Sequence, residues 1–258
     1  MRQLRPCVRL AAWRAPALLV DLHLTPCIVT FPPPRCEALI NPANERLSGT
    51  RFTPGECARH LAPDTNLIYP PQVIDGLVHG AGGDSSGGDS IGGASLSAAL
   101  AALPVIEGES VRCQTGAAVC TPAYGQLADA FEHIVHACAP FYHDERWRAL
   151  LLSCFTNALN VADVQGAKSV AVPLLGAGAR GAPFAEVATV AAQAMYEWKG
   201  RGALREARFA VQDDEVAEAV ATAMDAVLHV VDEPCTDDGD ASSARAPMRS
   251  SRRRSMFD

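Results

Sequence analysis

The stretch Val170-Ala171-Val172-Pro173-Leu174-Leu175-Gly176-Ala177-Gly178-Ala179-Arg180-Gly181-Ala182-Pro183 decides the fold of this chain. An apolar run opens abruptly into small residues and then leads into a helical pattern from 184. A buried strand that ends in such a loop exposes backbone N–H groups at a helix N-terminus, an arrangement that suits anions such as phosphate. A second stretch of the same kind lies upstream. It begins Ala38-Leu39-Ile40-Asn41-Pro42-Ala43-Asn44 and resumes, after an interruption, at Val73-Ile74-Asp75-Gly76-Leu77-Val78-His79. Two such loops in one domain imply a ligand with two phosphates, a nucleotide diphosphate derivative.

Around these loops the chain alternates strands and helices. Apolar runs bounded by turn residues predict strands over 17–24, 26–31, 36–41, 133–138, 169–174 and 207–212. Helices are predicted over 73–80, 94–103, 126–131, 145–163, 184–199 and 213–229, and in 145–163 Trp147, Leu150, Leu151, Cys154, Ala158 and Val161 share one face. Pro183 stands at the start of 184–199, where proline is favoured. Continuous apolar strands in a βαβα rhythm predict a mainly parallel sheet covered on both faces. Ligands of such sheets bind at the carboxyl ends of the strands, which is where both loops fall.

Two segments interrupt the rhythm. Residues 49–72 carry Pro54, Pro63, Pro70 and Pro71, and 82–93 have the composition of a flexible linker. Beyond Asp232 the chain is rich in Asp, Ser and Arg without periodicity, as disordered tails are. The expected organisation is a basic N-terminal extension over 1–14, one domain over 15–232 and a tail over 233–258.

Composition narrows the function. At 258 residues the chain is long enough for one sizeable α/β domain. A formal net charge of -7 argues against a general nucleic-acid binder, which needs surplus Lys and Arg to neutralise phosphates. No apolar run reaches the ~20 residues that span a bilayer, so no membrane partner is expected. Nine cysteines without a Cys-x-x-Cys pair read as reduced, buried thiols of an intracellular protein, in cytoplasm or nucleus. Arg2, Arg5, Arg9 and Arg14 precede the first acid, Asp21, which is the composition of an organelle transit peptide. The strand pattern at 17–24 follows so closely that it belongs to the fold.

The order and spacing of these segments resemble the macrodomain family, an α/β/α fold that binds ADP-ribose. The resemblance covers about 200 residues. It is carried by 38–47, by Val73-Ile74-Asp75-Gly76-Leu77-Val78-His79-Gly80-Ala81-Gly82, by Cys113-Gln114-Thr115-Gly116-Ala117-Ala118-Val119-Cys120-Thr121-Pro122, by His133-Ile134-Val135-His136, by Cys154-Phe155-Thr156-Asn157-Ala158-Leu159, by the loop 173–183 and by Phe209-Ala210-Val211-Gln212-Asp213-Asp214-Glu215. It implies a three-layer α/β/α domain with a mixed, mainly parallel central sheet. It also implies ADP-ribose or an ADP-ribosylated protein as partner, a monomer, and no cofactor or metal. In hydrolytic members the matching residues make Asn44 and Asp75 the catalytic pair. Asn44 fixes the distal ribose and Asp75 positions a water, for cleavage of an ADP-ribosyl bond or an O-acetyl-ADP-ribose ester. The ligand contacts implied are Asn41, Asn44, Asp75, Gly76, Leu175, Gly176, Ala177, Gly178, Ala179, Arg180 and Gly181.

Each residue also has a plainer reading. Asn44 forms turns or caps helices, Asp75 suits the first turn of a helix, and Asn41 fixes loop backbone. His79 and His136 read as satisfied histidines of the fold. The sequence departs from the family in three places. The glycines before the Asp-Gly pair are replaced by an insertion ending Tyr69-Pro70-Pro71-Gln72, and proline offers a phosphate no N–H. The acid that reads adenine falls at Thr30, with Asp21 too far upstream to replace it. The aromatic residue that packs on the distal ribose is Arg180, either a solvated loop charge or a cation that offsets the missing amides. A non-catalytic ADP-ribose reader, or an interaction protein with a degenerate pocket, therefore stands beside the hydrolase.

Overall fold

The computed structural model describes residues 7–49, 73–83, 95–108 and 110–231. Most of the 49–72 insertion with its Tyr69-Pro70-Pro71, nearly all of the 82–93 stretch, and the 233–258 tail lie outside the described residues. Eight strands form one sheet: β1 Val8–Arg14, β2 Leu19–Leu24, β3 Ala38–Ala43, β4 Ala118–Pro122, β5 His133–Cys138, β6 Ser169–Val172, β7 Glu206–Val211 and β8 His229–Val230. The spatial order is β4-β5-β3-β6-β7-β2-β1-β8. The five central strands pair in parallel, while β4 at one edge and β1 and β8 at the other pair antiparallel. The sheet is mixed and mainly parallel, with helices on both faces.

Side chains alternate across that sheet with the period of two that strands impose. Ile40, Val135, Val170, Val172 and Phe209 face one layer of helices, namely α3 Trp147–Val164, α4 Phe184–Glu197 and α5 Asp214–Asp225. Leu39, Ile134, Ala171 and Ala210 face the other, with α1 Ile74–Ala81 and α2 Leu96–Ala102. Because both sides are covered, the central strands read as continuous apolar runs. In α3 the buried stripe is Leu151, Cys154, Phe155, Ala158, Leu159 and Ala162. It is turned slightly from the predicted face, so that Trp147, Leu150 and Val161 sit at its border.

Several expectations are corrected. Residues 8–14 are not an extension ahead of the domain but strand β1. Arg9, which suggested a basic leader, pairs with Asp21 across the β1–β2 ladder (2.7 Å), and Trp13 is buried with its Nε1 donating to Asp225 Oδ1 (2.7 Å). The predicted strand 26–31 is a turn. Thr25 Oγ1 donates to the Phe31 carbonyl (2.6 Å) and the Phe31 amide to the Cys27 carbonyl (2.8 Å), which closes the backbone locally instead of offering it to a neighbour. The helix predicted over 126–131 is a short 3-10 turn, Gly125–Asp129. The last helix stops at Asp225, and His229–Val230 return to pair with β1. Strand β4 falls in a segment that carries the resemblance but where no strand is predicted; its side chains are half-buried at an edge, which mutes the apolar signal. All seven described cysteines are free thiols.

Candidate functional site

A cavity of about 750 Å³ opens at the carboxyl ends of the parallel strands. Its walls come from the ends of β3 (Pro42, Ala43) and β7 (Ala210, Val211), from Pro173 and Leu174 directly after β6, and from the loops that follow these strands. Of the residues expected at a ligand, Asn44, Asp75, Gly176, Ala177, Gly178, Ala179 and Arg180 line it. Asn41, Gly76, Leu175 and Gly181 do not. Leu175 is fully buried in the helical core, so its side chain anchors the loop and does not face a ligand. Gly181 closes a turn, donating to the Gly178 carbonyl (2.9 Å) with φ at +80°.

The loop after β6 is built to leave amides free. Ala182 N donates to Gly176 O (3.1 Å) and Ala177 N to Leu174 O (3.3 Å), which folds the backbone tightly. Gly176 takes φ +85° in that fold, a conformation that favours glycine. The amides of Gly176, Gly178 and Arg180 have no partner among the described residues, and all three residues line the cavity. At Gly178 a Cβ would meet nothing within 4 Å, so this backbone stands directly against open space.

Asp75 occupies the second position of α1. It does not cap that helix, whose N-cap is Val73 without a side-chain bond. Its carboxylate turns inward to accept from Asn41 Nδ2 (2.8 Å) and to lie 3.6 Å from His79 Nε2. Burial drives the carboxyl above the ordinary carboxylate range. His79, the Asn41 hydrogen bond and Arg180 pull the other way without cancelling it. Asn41 is wholly buried behind Asp75 and does not line the cavity; its side chain holds the carboxylate instead of loop backbone. His136 sits behind Asn41 (3.2 Å) and reaches Thr121 Oγ1 (3.1 Å) on its other side. Burial pushes its imidazole down to about 3, which makes it a neutral member of the fold.

Asn44 is committed to its own loop. Its Oδ1 accepts from the amides of Arg46 (3.1 Å) and Ser48 (3.3 Å), and its Nδ2 donates to Gly49 O (2.8 Å). One Nδ2 hydrogen is left for the cavity it lines. Arg180 is not a solvated charge. Its guanidinium lies 4.2 Å over the Phe141 ring and 3.5 Å from Glu45 Oε2. Glu45 would be raised by its burial, but Arg180 and a hydrogen bond from Thr115 (2.7 Å) hold it below its ordinary value. Phe141, absent from the sequence expectations, thus supplies an aromatic surface to the cavity from a different element than the family pattern implies.

The far wall is apolar: Ile28, Ala210, Val211 and Val216. Asp213 stands at its edge, with one carboxylate oxygen capping α5 through the Val216 amide (2.9 Å). Asp21 lies elsewhere in the sheet, paired with Arg9, and does not line the cavity. The segment Phe209-Ala210-Val211-Gln212-Asp213 carried the resemblance, yet nothing in its composition marked it as cavity wall. Among the described residues no cluster of His, Cys, Asp and Glu could hold a metal ion.

The geometry agrees with comparison to known proteins. Residues 78–191 match the family model described as Macro domain. The O-acetyl-ADP-ribose deacetylase of Salmonella typhimurium is 32% identical over 151 residues, 57% of this chain and 75% of that protein. A macro domain-containing protein of Caldanaerobacter subterraneus subsp. tengcongensis is 29% identical over 154 residues, 58% of this chain and 78% of that one. Among solved structures, the Oceanobacillus iheyensis macrodomain with ADP aligns at a TM-score of 0.64 and 16% identity, covering 86% of this chain and 97% of that one. The Trypanosoma brucei macrodomain in complex with ADP-ribose aligns at 0.54 and 20% identity, covering 79% and 68%.

Proposed function

The chain belongs to the macrodomain family, and on that premise we propose that it binds ADP-ribose and hydrolyses an ester or ADP-ribosyl bond at the distal ribose. The observation that carries this reading is the buried Asp75 carboxyl, raised above its ordinary range and lining the same cavity as the free amides of Gly176, Gly178 and Arg180. The amides receive the diphosphate, as donors fixed in advance for negative charge. The base lies against Ile28, Ala210, Val211 and Val216, beside Asp213. The distal ribose lies toward Asn44, Phe141 and Asp75.

In the ester reaction a water held by Asp75 attacks the acyl carbon and gives its proton to the carboxylate. The C–O bond to the ribose breaks, the ribose oxygen takes the proton, and acetate and ADP-ribose leave. A carboxyl whose acidity is weakened by burial suits this task near neutral pH. Relatives named O-acetyl-ADP-ribose deacetylase at about 30% identity support the ester as substrate. The alternative is a reader of ADP-ribosylated proteins that does not turn over, and one observation favours it. The Asn44 side chain is largely spent within its own loop.

Calorimetric titration with ADP-ribose, against ADP and ATP, tests binding. Hydrolysis of O-acetyl-ADP-ribose and of an ADP-ribosylated peptide tests turnover. The expected result is binding selective for ADP-ribose, with turnover that Asp75→Ala lowers at least tenfold while affinity stays within a few-fold. Binding without turnover in the wild type establishes the reader, and absent binding refutes both.

A further inference from the structure

Four side chains from four elements form one buried chain. Thr121 of β4 meets His136 of β5 (Oγ1···Nε2 3.1 Å), His136 meets Asn41 of β3 (Nδ1···Nδ2 3.2 Å), and Asn41 meets Asp75 of α1 (Nδ2···Oδ1 2.8 Å). Thr121, His136 and Asn41 are 3%, 0% and 0% exposed, so no solvent competes along the line. Asp75 is faced by Asn41, by His79 on its own helix and by Arg180 from the loop after β6.

The donors and acceptors in this chain are interdependent. If the Asn41 amide nitrogen gives one hydrogen to Asp75 and the other to His136 Nδ1, then Nδ1 must be bare and the ring proton must sit on Nε2, donating to Thr121 Oγ1. In this arrangement Asn41 Oδ1 is buried without a partner among the described residues, a cost that the amide carries only if its orientation is imposed from outside. Reversing the amide would set its oxygen against the Asp75 carboxylate, so the arrangement with N–H on Asp75 belongs to the ionised acid.

We infer that Thr121 and His136 are positioning residues: a His136 ring bare at Nδ1, its Nε2–H accepted by the Thr121 hydroxyl, holds the Asn41 amide with an N–H on the Asp75 carboxylate. The role of Asp75 in turnover rests on the function proposed above, but the hydrogen-bond order does not. It is readable in the ligand-free protein.

The experiment is nitrogen NMR of the imidazoles and carbon NMR of the Asp75 carboxyl in the full chain without ligand. Wild type is expected to show His136 protonated at Nε2 and bare at Nδ1 at neutral pH. In Thr121→Val, which keeps the side-chain shape, the tautomer preference should weaken and the Asp75 carboxyl should titrate about one pH unit higher, a tenfold loss of acidity. Thr121→Ser should restore both. If the protein turns over substrate, the acid limb of its pH–rate profile should move upward with the same variant and return with Thr121→Ser. A wild-type His136 protonated at Nδ1, or a Thr121→Val protein with unchanged tautomer and unchanged Asp75 titration, overturns the inference. Failure to bind or hydrolyse ADP-ribose compounds sinks the proposed function and leaves these two readouts standing.

Discussion

Replacing Gly178 by valine separates ligand recognition from folding more cleanly than any other single change in the cavity. Gly178 is exposed, its backbone lies outside the left-handed region, and a Cβ there meets nothing within 4 Å. The variant should therefore fold, with Tm within a few degrees of the wild type. The added isopropyl group projects into the space where the amides of Gly178 and Arg180 would meet the diphosphate. A hydrogen bond to a charged group contributes about 1.5–3 kcal/mol, so losing two costs about 3–6 kcal/mol. At 1.4 kcal/mol per factor of ten, ADP-ribose affinity should fall roughly a hundred- to ten-thousand-fold. Calorimetry reads the affinity, and a thermal melt of the same sample shows that the protein is folded. Gly176 is a poorer choice, since φ +85° and Leu151 Cδ1 at 3.4 Å would mix strain with ligand effects. Wild-type affinity in a folded Gly178→Val protein would refute the assignment of the loop.

Three further outcomes follow from the same structure. Because burial raises the Asp75 carboxyl, the folded state holds its proton more tightly than the unfolded chain; the associated stability is present below the ordinary carboxylate range and is lost as pH rises through the folded value. Asp75→Asn should thus gain Tm relative to wild type as pH rises above the ordinary carboxylate range, and a gap that does not widen with pH in thermal melts would contradict the burial argument. His136 behaves oppositely: held down to about 3, it opposes folding as pH falls from about 6.5 toward 3, by roughly 5 kcal/mol at full effect, and His136→Gln should flatten acid unfolding over that window in denaturant titrations. Arg180→Gln removes a cation that lines the cavity beside Phe141 and Glu45, and ADP-ribose affinity should weaken about tenfold, a hydrogen bond to a charged group being worth about 1.5–3 kcal/mol. Calorimetry at low and high salt checks it, with equal affinities in variant and wild type as the contrary result.

Sequence alone determined the central parallel sheet and its long covering helices, because the signals that encode them are local. The central strands are buried on both faces and so appear as unbroken apolar runs, and Pro183 and the 173–183 loop announce the turn from β6 into α4. Asp75 and Gly178 were legible for the same reason: each sits at a fixed offset from a strand end or helix start. What sequence could not determine depends on partners remote along the chain. Arg9 reads as part of a basic leader until Asp21 lies across from it, and 26–31 reads as a strand until the Thr25 hydroxyl closes a turn. Asn41 was placed at the ligand, but packing set it behind Asp75, where His136 and Thr121 from two other strands govern its amide. Phe141, Glu45 and Asp213 joined the cavity only because the parallel sheet brings the ends of non-consecutive strands to one edge. The hydrogen-bond order around a buried carboxylate is a property of those meetings, and tertiary structure alone decides it.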